Sequence, residues 1–204
     1  QKVGVVGLGT GTTAAYAKDG DQYFFYDINP EVKRVAEEEY SYLRDARRRG
    51  AQIRVLLGDA RLSMEQEKPR EFDVLVLDAF SSDAIPVHLL TFEAFQIYER
   101  HMAKNGVIAV HISNRHLLLE GVVLRLAKEL NWDAVRIYGG KEDEVTGEEN
   151  HYLYYSEWIL LTRNKEFVQL EEVKSSQETA RSTKPQILWT DDHVSILPIV
   201  ESPA

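Results

Sequence analysis

Short apolar runs alternate along the chain with longer segments in which apolar and charged residues recur at helical spacing. Each apolar run predicts a buried strand, and continuously apolar runs such as Phe72–Asp78 are typical of the centre of a parallel sheet. The alternation predicts an α/β fold with a seven-stranded, mostly parallel sheet and helices on both faces. The predicted strands are 3–6, 22–27, 51–57, 72–78, 106–112, 132–138 and 157–163. The predicted helices are 12–18, 31–49, 60–67, 88–102 and 115–130.

We expect the 204 residues to form a single domain, with a core over 3–164 and a carboxyl-terminal tail over 165–204. Residues 171–184 are rich in Ser, Lys and Glu, which predicts a mobile segment. Residues 186–198 are apolar enough to pack back on the core.

The first strand leads directly into a glycine-rich turn, with Gly7, Gly9 and Gly11 at every second position. Glycines allow unusual dihedral angles and let a ligand approach the backbone. A helix starting at Thr12 would direct its free amides at this turn. The turn therefore predicts a nucleotide or nucleoside cradle, with a tightly packed strand-to-helix turn as the alternative. The G-x-G-x-x-G dinucleotide fingerprint would need its third glycine at Thr12, so a pyrophosphate site is disfavoured.

Acidic residues follow the next strands at their carboxyl ends, where open α/β sheets bind ligands. Asp27 ends the second strand, where a carboxylate can accept hydrogen bonds from both hydroxyls of a ribose. The alternative is that Asp27 caps the next helix, because Pro30 suits a first helical turn. Asp59 follows the third strand and is also expected to cap a helix, and Asp78 follows the fourth.

Charge and composition narrow the classes of ligand. The net charge of −9 disfavours nucleic acid and favours cationic ligands. The absence of cysteine excludes disulfides and thiolate metal sites. No apolar run is long enough to span a membrane. The histidines lack the spacing of a zinc helix, so no metal is expected.

Taken together, these motifs resemble the adenosyl-sulfonium-dependent transferases of the Rossmann-like class I methyltransferase fold. The run Asp78–Thr91 and the segment Trp189–His193 are similar to the spermidine synthase (polyamine aminopropyltransferase) family, and most similar to spermidine synthase-like domains fused to membrane segments. The resemblance extends from Val3 to about Pro198. It implies that the last strand runs antiparallel beside the sixth.

The resemblance also implies an activity: transfer of an aminopropyl group from decarboxylated S-adenosylmethionine to a polyamine such as putrescine, with release of methylthioadenosine. In this family the residue at Asp59 accepts from the adenine amino group. The donor, which could also be intact S-adenosylmethionine, would be bound by Gly7, Leu8, Gly9, Thr10, Gly11, Asp27, Ile28, Asp59, Ala60, Asp78 and Ala79. A homodimer and a cytoplasmic location are expected, with tethering to membrane segments outside this chain as an alternative.

The chemistry explains why a carboxylate is needed after the fourth strand. An alkylamine has a pKa of about 10, so it is protonated at neutral pH and must lose a proton before it attacks. Asp78 is the first candidate for the catalytic carboxylate and Asp83 the second. The family carries a pair of aspartates in this loop that are more closely spaced than Asp78 and Asp83, so the alignment of the loop with the family leaves both residues as candidates.

Two departures from the family keep other functions open. Thr10 stands where spermidine synthases carry an aspartate that binds the amine of the aminopropyl arm, and a hydroxyl does not neutralise an ammonium. The amino-terminal β-hairpin region of the family is expected to be absent from this chain. A methyltransferase on the same fold and a catalytically silent nucleoside- or polyamine-binding domain are therefore alternatives.

Several further residues have less specific interpretations. Ser81 and Ser82 are expected to cap the next helix. The acidic stretch 142–149 is either a solvated loop or a lid that attracts polyamines. Asp191 and Asp192 would reach the mouth of the pocket.

Overall fold

The computed structural model describes residues 1–79, 86–114, 116–139, 156–177 and 185–200. Over these residues the strands are β1 Lys2–Val6, β2 Gln22–Asp27, β3 Gln52–Leu57, β4 Phe72–Leu77, β5 Met102–His111, β6 Asp133–Gly139 and β7 Ser156–Thr162. They form one seven-stranded sheet in the order β3-β2-β1-β4-β5-β7-β6. The first five strands pair in parallel, whereas β7 lies antiparallel between β5 and β6. The predicted mostly parallel sheet with an antiparallel last strand is thus confirmed.

Helices cover both faces of the sheet, as predicted. Side chains of successive strand residues point to opposite faces, and accordingly Val5 belongs to one apolar cluster and Val6 to the other. The α-helices are α1 Pro30–Glu38, α2 Tyr42–Arg48, α3 Ala60–Gln66, α4 Phe92–His101, α5 Glu120–Glu129, α6 Lys165–Gln169 and α7 Glu171–Ser175. The larger cluster includes side chains from α3, α4, α5 and the tail, and the smaller one includes side chains from α1 and α2. Short 3₁₀ turns occur at Thr12–Tyr16, Val87–Leu89 and Leu197–Ile199.

Four predicted helices differ from the structure in extent. The helix expected over 88–102 begins only at Phe92, and the helix expected over 115–130 begins only at Glu120. The helix expected over 12–18 is a single 3₁₀ turn at Thr12–Tyr16, preceded by Gly11 in the left-handed conformation. The helix expected over 31–49 divides into α1 and α2. Residues 38–40 at the break are exposed, so no burial of apolar side chains holds a continuous helix there.

The tail packs back on the core, as expected. The Trp189 side chain is fully buried, and its carbonyl accepts a hydrogen bond from the Phe92 amide at the start of α4 (2.8 Å). Within the segment expected to be mobile, residues 171–175 instead form α7, because the buried Val173 anchors it. None of the helices in the described part of the chain is both long enough and apolar enough to cross a bilayer.

Candidate functional site

The tips of four neighbouring strands form a row at one edge of the sheet. Backbone hydrogen bonds of 2.9 Å join Gly58 to Asp27, Gly7 to Tyr26 and Asp78 to Val6. Neighbouring strands lie about 4.8 Å apart, so the row from β3 to β4 spans roughly 14 Å. The structure thus brings the predicted motifs together along this row.

The glycine turn serves both packing and open access. A Cβ at Gly7 would lie 2.3 Å from the Asp78 carbonyl oxygen, and the φ of Gly7 is +95°. This close approach places the turn directly against the tip of β4. At Gly9, by contrast, a Cβ would meet no atom within 4 Å. The turn is therefore packed at Gly7 and open at Gly9, which agrees with both interpretations of the motif.

Thr10 and Thr12 lie side by side in the same turn. Their hydroxyl oxygens are 2.7 Å apart and share a hydrogen bond. The turn thus presents a pair of neutral hydroxyls at these two positions rather than a charged side chain.

Asp27 links the tip of β2 to the glycine turn. One carboxylate oxygen accepts from the Leu8 amide (2.9 Å) and the other from the Asn29 amide (2.8 Å). Helix α1 is capped by Asn29, whose side chain accepts from the Glu31 amide (2.9 Å). The alternative that Asp27 caps this helix is therefore wrong. Ile28, next to it, is 75% exposed at the same edge of the sheet.

Asp59 follows β3 and caps α3, as expected. Its Oδ1 accepts from the Leu62 amide (2.9 Å), while Oδ2 lies 2.7 Å from Nε2 of His88. Burial by itself would raise the pKa of Asp59, but these two hydrogen bonds, together with the charge of His88 and a hydrogen bond from the Arg61 amide, lower that pKa. Asp59 is thus held as a carboxylate, and the buried Ala60 begins the helix behind it.

Asp78, at the tip of β4, pairs with His111, the last residue of β5. Oδ1 of Asp78 lies 2.8 Å from Nδ1 of His111. The other ring nitrogen, Nε2, lies 2.9 Å from Oγ of Ser113. The Asp78 side chain remains 46% exposed, and Ala79 beside it packs against the core. The three side chains form a row of carboxylate, imidazole and hydroxyl.

The remaining candidate residues are not part of the row of strand tips. Asp83, Ser81, Ser82 and the acidic stretch 142–149 are outside the described residues. Asp191 pairs with Arg61, whose Nη1 also donates to the His88 carbonyl (3.0 Å), so this aspartate is linked to the Asp59 region. Asp192 is exposed. Across the part of the chain that the structure describes, no group of three or more histidine and acidic side chains could hold a metal ion.

Sequence reasoning missed His88 and His111 as partners of the site's carboxylates. A signal for His111 was present, since it ends a strand adjacent to β4 and the carboxyl ends of parallel strands meet at one edge. No comparable signal existed for His88, because its contact depends on how the 87–89 turn packs beside α3.

Comparison with known proteins gives one curated relative and several structural neighbours. The relative is a polyamine aminopropyltransferase from Vibrio vulnificus (strain CMCP6), 27% identical over 116 residues, which cover 54% of this chain and 37% of that protein. No protein-family model matches the chain.

The structural neighbours include a probable spermidine synthase from Corynebacterium glutamicum ATCC 13032, with a TM-score of 0.61 at 22% identity, over 85% of this chain and 60% of that one. A spermidine synthase from Thermotoga maritima gives a TM-score of 0.57 at 15% identity, over 94% of this chain and 62% of that one. A SAM-dependent methyltransferase from Archaeoglobus fulgidus gives a TM-score of 0.55 at 14% identity, over 80% of this chain and 86% of that one.

The chain thus spans little more than a third of its curated relative and about three fifths of the two spermidine synthases. These similarities confirm the predicted Rossmann-like methyltransferase fold, and they support the predicted resemblance of the chain to spermidine synthases.

Proposed function

We propose that this chain carries the donor site and the catalytic carboxylate of an aminopropyltransferase. It would transfer an aminopropyl group from decarboxylated S-adenosylmethionine to a polyamine and release methylthioadenosine. The observation that supports this most is the row of strand tips, in which Asp78 lies directly against the glycine turn at Gly7. The relatives of the chain are transferases, and one of them is a polyamine aminopropyltransferase.

In this proposal the donor lies along the row. The adenine would contact Asp59 and Ala60, and the ribose hydroxyls would donate to Asp27. Each Asp27 oxygen accepts one backbone amide, and a carboxylate oxygen can accept a second hydrogen bond. Ile28 offers an exposed apolar surface beside the base. The sulfonium side of the donor would cross the turn of Gly7, Leu8, Gly9, Thr10 and Gly11 toward Asp78 and Ala79.

The reaction requires a proton acceptor next to the sulfonium. The acceptor ammonium gives a proton to the Asp78 carboxylate and becomes a neutral amine. Its lone pair then forms the new N–C bond as the C–S bond breaks, and the bonding pair leaves on sulfur, which becomes a neutral thioether. The proton passes from Asp78 to solvent. Asp83 is the second candidate for this role and lies outside the described residues.

A cationic acceptor suits the charge of the chain. The net charge of −9 attracts polyamines such as putrescine, which carry several ammonium groups at neutral pH. We further expect a homodimer, as the family resemblance implies.

Thr10 favours a second candidate, a methyltransferase that uses intact S-adenosylmethionine. The aminopropyl arm of the decarboxylated donor ends in an ammonium, and the Thr10–Thr12 hydroxyl pair offers it no compensating charge. In intact S-adenosylmethionine the neighbouring carboxylate makes this end of the donor neutral overall.

Calorimetric titration with both donors separates these candidates. Tighter binding of the decarboxylated donor supports the aminopropyltransferase, whereas tighter binding of the intact donor favours the methyltransferase. Methylthioadenosine formed with putrescine or spermidine would then measure turnover. We expect Asp78→Asn to lower that turnover about 100-fold or more, since it removes the proton acceptor.

The matched control is Asp73→Asn, at the opposite end of the same strand, where Asp73 accepts from the Lys2 amide (2.8 Å). This variant should keep nearly full turnover. Donor binding without any turnover by the wild-type chain would contradict the proposal and indicate a silent nucleoside-binding domain.

A further inference from the structure

His111 is held in one orientation by contacts on several sides. Its ring stacks on the Trp158 indole, with centroids 4.6 Å apart and planes 20° apart. Nδ1 lies 2.8 Å from Asp78 and Nε2 lies 2.9 Å from Ser113. The Ser113 oxygen in turn accepts from the Glu157 amide (2.7 Å). The ring is thus fixed between β4, β7 and the segment after β5.

For a neutral His111 ring beside an ionised Asp78, these contacts favour one position of the ring proton. An ionised carboxylate only accepts hydrogen bonds, so Nδ1 must be the donor to Asp78. In a neutral imidazole Nε2 is then an acceptor, and its partner must be a donor. The Ser113 hydroxyl can supply this proton because its oxygen already accepts the Glu157 amide. In this row the Ser113 hydroxyl donates to Nε2 of His111, and Nδ1–H of His111 donates to Asp78.

The contact with His111 uses only one of the two oxygens of the Asp78 carboxylate. The His111 ring engages Oδ1, and the side chain is 46% exposed. Among the described residues, no second side chain is hydrogen-bonded to Asp78. Oδ2 is thus the oxygen available to a substrate.

We propose that His111 is a positioning residue for the transfer reaction. Its Nδ1–H orients the Asp78 carboxylate so that Oδ2 receives the proton of the acceptor ammonium, and Ser113 keeps His111 in the tautomer that can do so. This inference rests on the proposed function for the reaction it serves, but the tautomer that it requires can be measured without turnover.

The first experiment observes the tautomer by long-range ¹H–¹⁵N NMR of the histidine rings. The signals of His111 among the six histidines are identified by their loss in His111→Asn. In the neutral ring we expect the proton on Nδ1, with partial conversion to the Nε2–H tautomer in Ser113→Ala. A wild-type ring with the proton on Nε2 would overturn the proposal.

The second experiment measures the transfer rate in two His111 variants. His111→Leu removes the donor to Asp78, and we expect kcat to fall about 100-fold while the KM for the donor stays within about threefold. In His111→Asn the side-chain amide can replace Nδ1–H, so kcat should recover to within about tenfold of the wild type. Thermal denaturation establishes that both variants are folded.

The matched control is His193→Leu, at an exposed histidine of the tail, which should leave kcat unchanged. Equal losses in His111→Leu and His111→Asn would overturn the positioning role, as would a normal kcat in His111→Leu. The order Asp, His, Ser is also that of serine hydrolases, so modification of Ser113 by a fluorophosphonate would overturn it in favour of a nucleophilic serine.

The two proposals fail differently. If the wild-type chain binds the donor but transfers nothing to any amine, the proposed function fails and the role of His111 in transfer fails with it. If the wild type is active while its His111 carries the proton on Nε2, only the positioning role fails.

Discussion

The Arg61 guanidinium donates to both carboxylate oxygens of Asp191, which lies 130 residues further along the chain. Asp191 also accepts from the Thr91 hydroxyl (2.8 Å). Arg61 lies in the first turn of α3, directly after Asp59 and Ala60. The pair therefore ties the carboxyl-terminal tail to the helix that begins at the candidate adenine site.

Loss of this pair should destabilise the protein in a pH-dependent way. The hydrogen bond from Arg61 lowers the pKa of Asp191, so the native state favours the ionised form. This contribution is present above the unfolded pKa of about 3.9 and is lost as the pH falls through the lower folded value. We expect Asp191→Asn to cost about 1–2 kcal/mol at pH 7 by urea denaturation, and less at acidic pH.

The neighbouring residue provides the control for this prediction. Asp192 is exposed, and its side chain makes no hydrogen bond with any residue that the structure describes. Asp192→Asn should change stability by less than about 0.5 kcal/mol. Equal effects of the two substitutions would show that the Arg61 pair contributes nothing specific.

Two glycines of the same turn should respond differently to alanine. At Gly7 the added Cβ would lie 2.3 Å from the Asp78 carbonyl, so the backbone must shift, and we expect a loss of about 3 kcal/mol or more. At Gly9 the Cβ meets open space, and only its φ of +52° is unfavourable, at a cost of about 1–2 kcal/mol. Thermal and urea denaturation measure both.

Donor binding gives the complementary result for Gly9. If the donor crosses the turn as proposed, the added methyl group of Gly9→Ala occupies its space, and calorimetry should show affinity at least about tenfold weaker. A stable Gly9→Ala protein with unchanged donor affinity would contradict the proposed donor position.

The tail should contribute strongly to stability through Trp189. This side chain is fully buried in the larger apolar cluster, and its Nε1 donates to the Ser195 carbonyl (3.1 Å). Trp189→Ala should therefore cost about 3–5 kcal/mol by urea denaturation. Leu197→Ala is the control in the same segment, since Leu197 is 87% exposed and its loss should be within about 0.5 kcal/mol. A small effect of Trp189→Ala would mean that the tail is dispensable for the core.

The buried His101 should make stability fall in mild acid. Burial lowers its pKa, because the imidazolium would lose its hydration. Two interactions favour the imidazolium: the contact of Nε2 with the Met64 carbonyl at 2.7 Å, and the charge of Glu67. The charges of Arg100 and Arg70 oppose it. Burial outweighs both favourable interactions, so the pKa of His101 is lowered. The unfolded chain thus binds a proton below about pH 6.5 more readily than the native state.

Urea denaturation between pH 7.5 and 5 tests this prediction. Stability should fall as the pH drops below about 6.5, by at most about 1.4 kcal/mol per pH unit from this residue, and should level off below the folded pKa. His101→Leu should remove this part of the slope. The Met64 carbonyl keeps a donor in that variant, because Arg100 also donates to it (2.9 Å). Identical slopes in the two proteins would exclude His101 as the source.

Much of the fold could be predicted from local patterns. Apolar runs mark strands that are buried on both faces, and all seven strands lie near their predicted positions. The ends of the helices could be predicted less well than their presence. The division between α1 and α2 falls at the exposed residues 38–40, and the turn at Thr12–Tyr16 follows Gly11 in the left-handed conformation.

The candidate site likewise has a part that could be predicted from the sequence and a part that could not. The glycine turn and the aspartates after β2, β3 and β4 were visible because each follows a strand directly, and parallel strands bring their carboxyl ends together. The pairing of Asp59 with His88 could not be predicted, since 29 residues separate them and only the packing of the 87–89 turn beside α3 brings them together.

The sequence by itself determined the class of fold and which chemical groups follow the ends of the strands, and it led to the kind of ligand proposed for them. These follow from strand periodicity, glycine spacing and charge, which are local properties. Only the tertiary structure decided that Gly7 packs against Asp78 while Gly9 stays open, that Asn29 rather than Asp27 caps α1, and that His111 and Ser113 complete a row with Asp78. Such contacts depend on the register between strands and on the packing of distant segments, which no local pattern specifies.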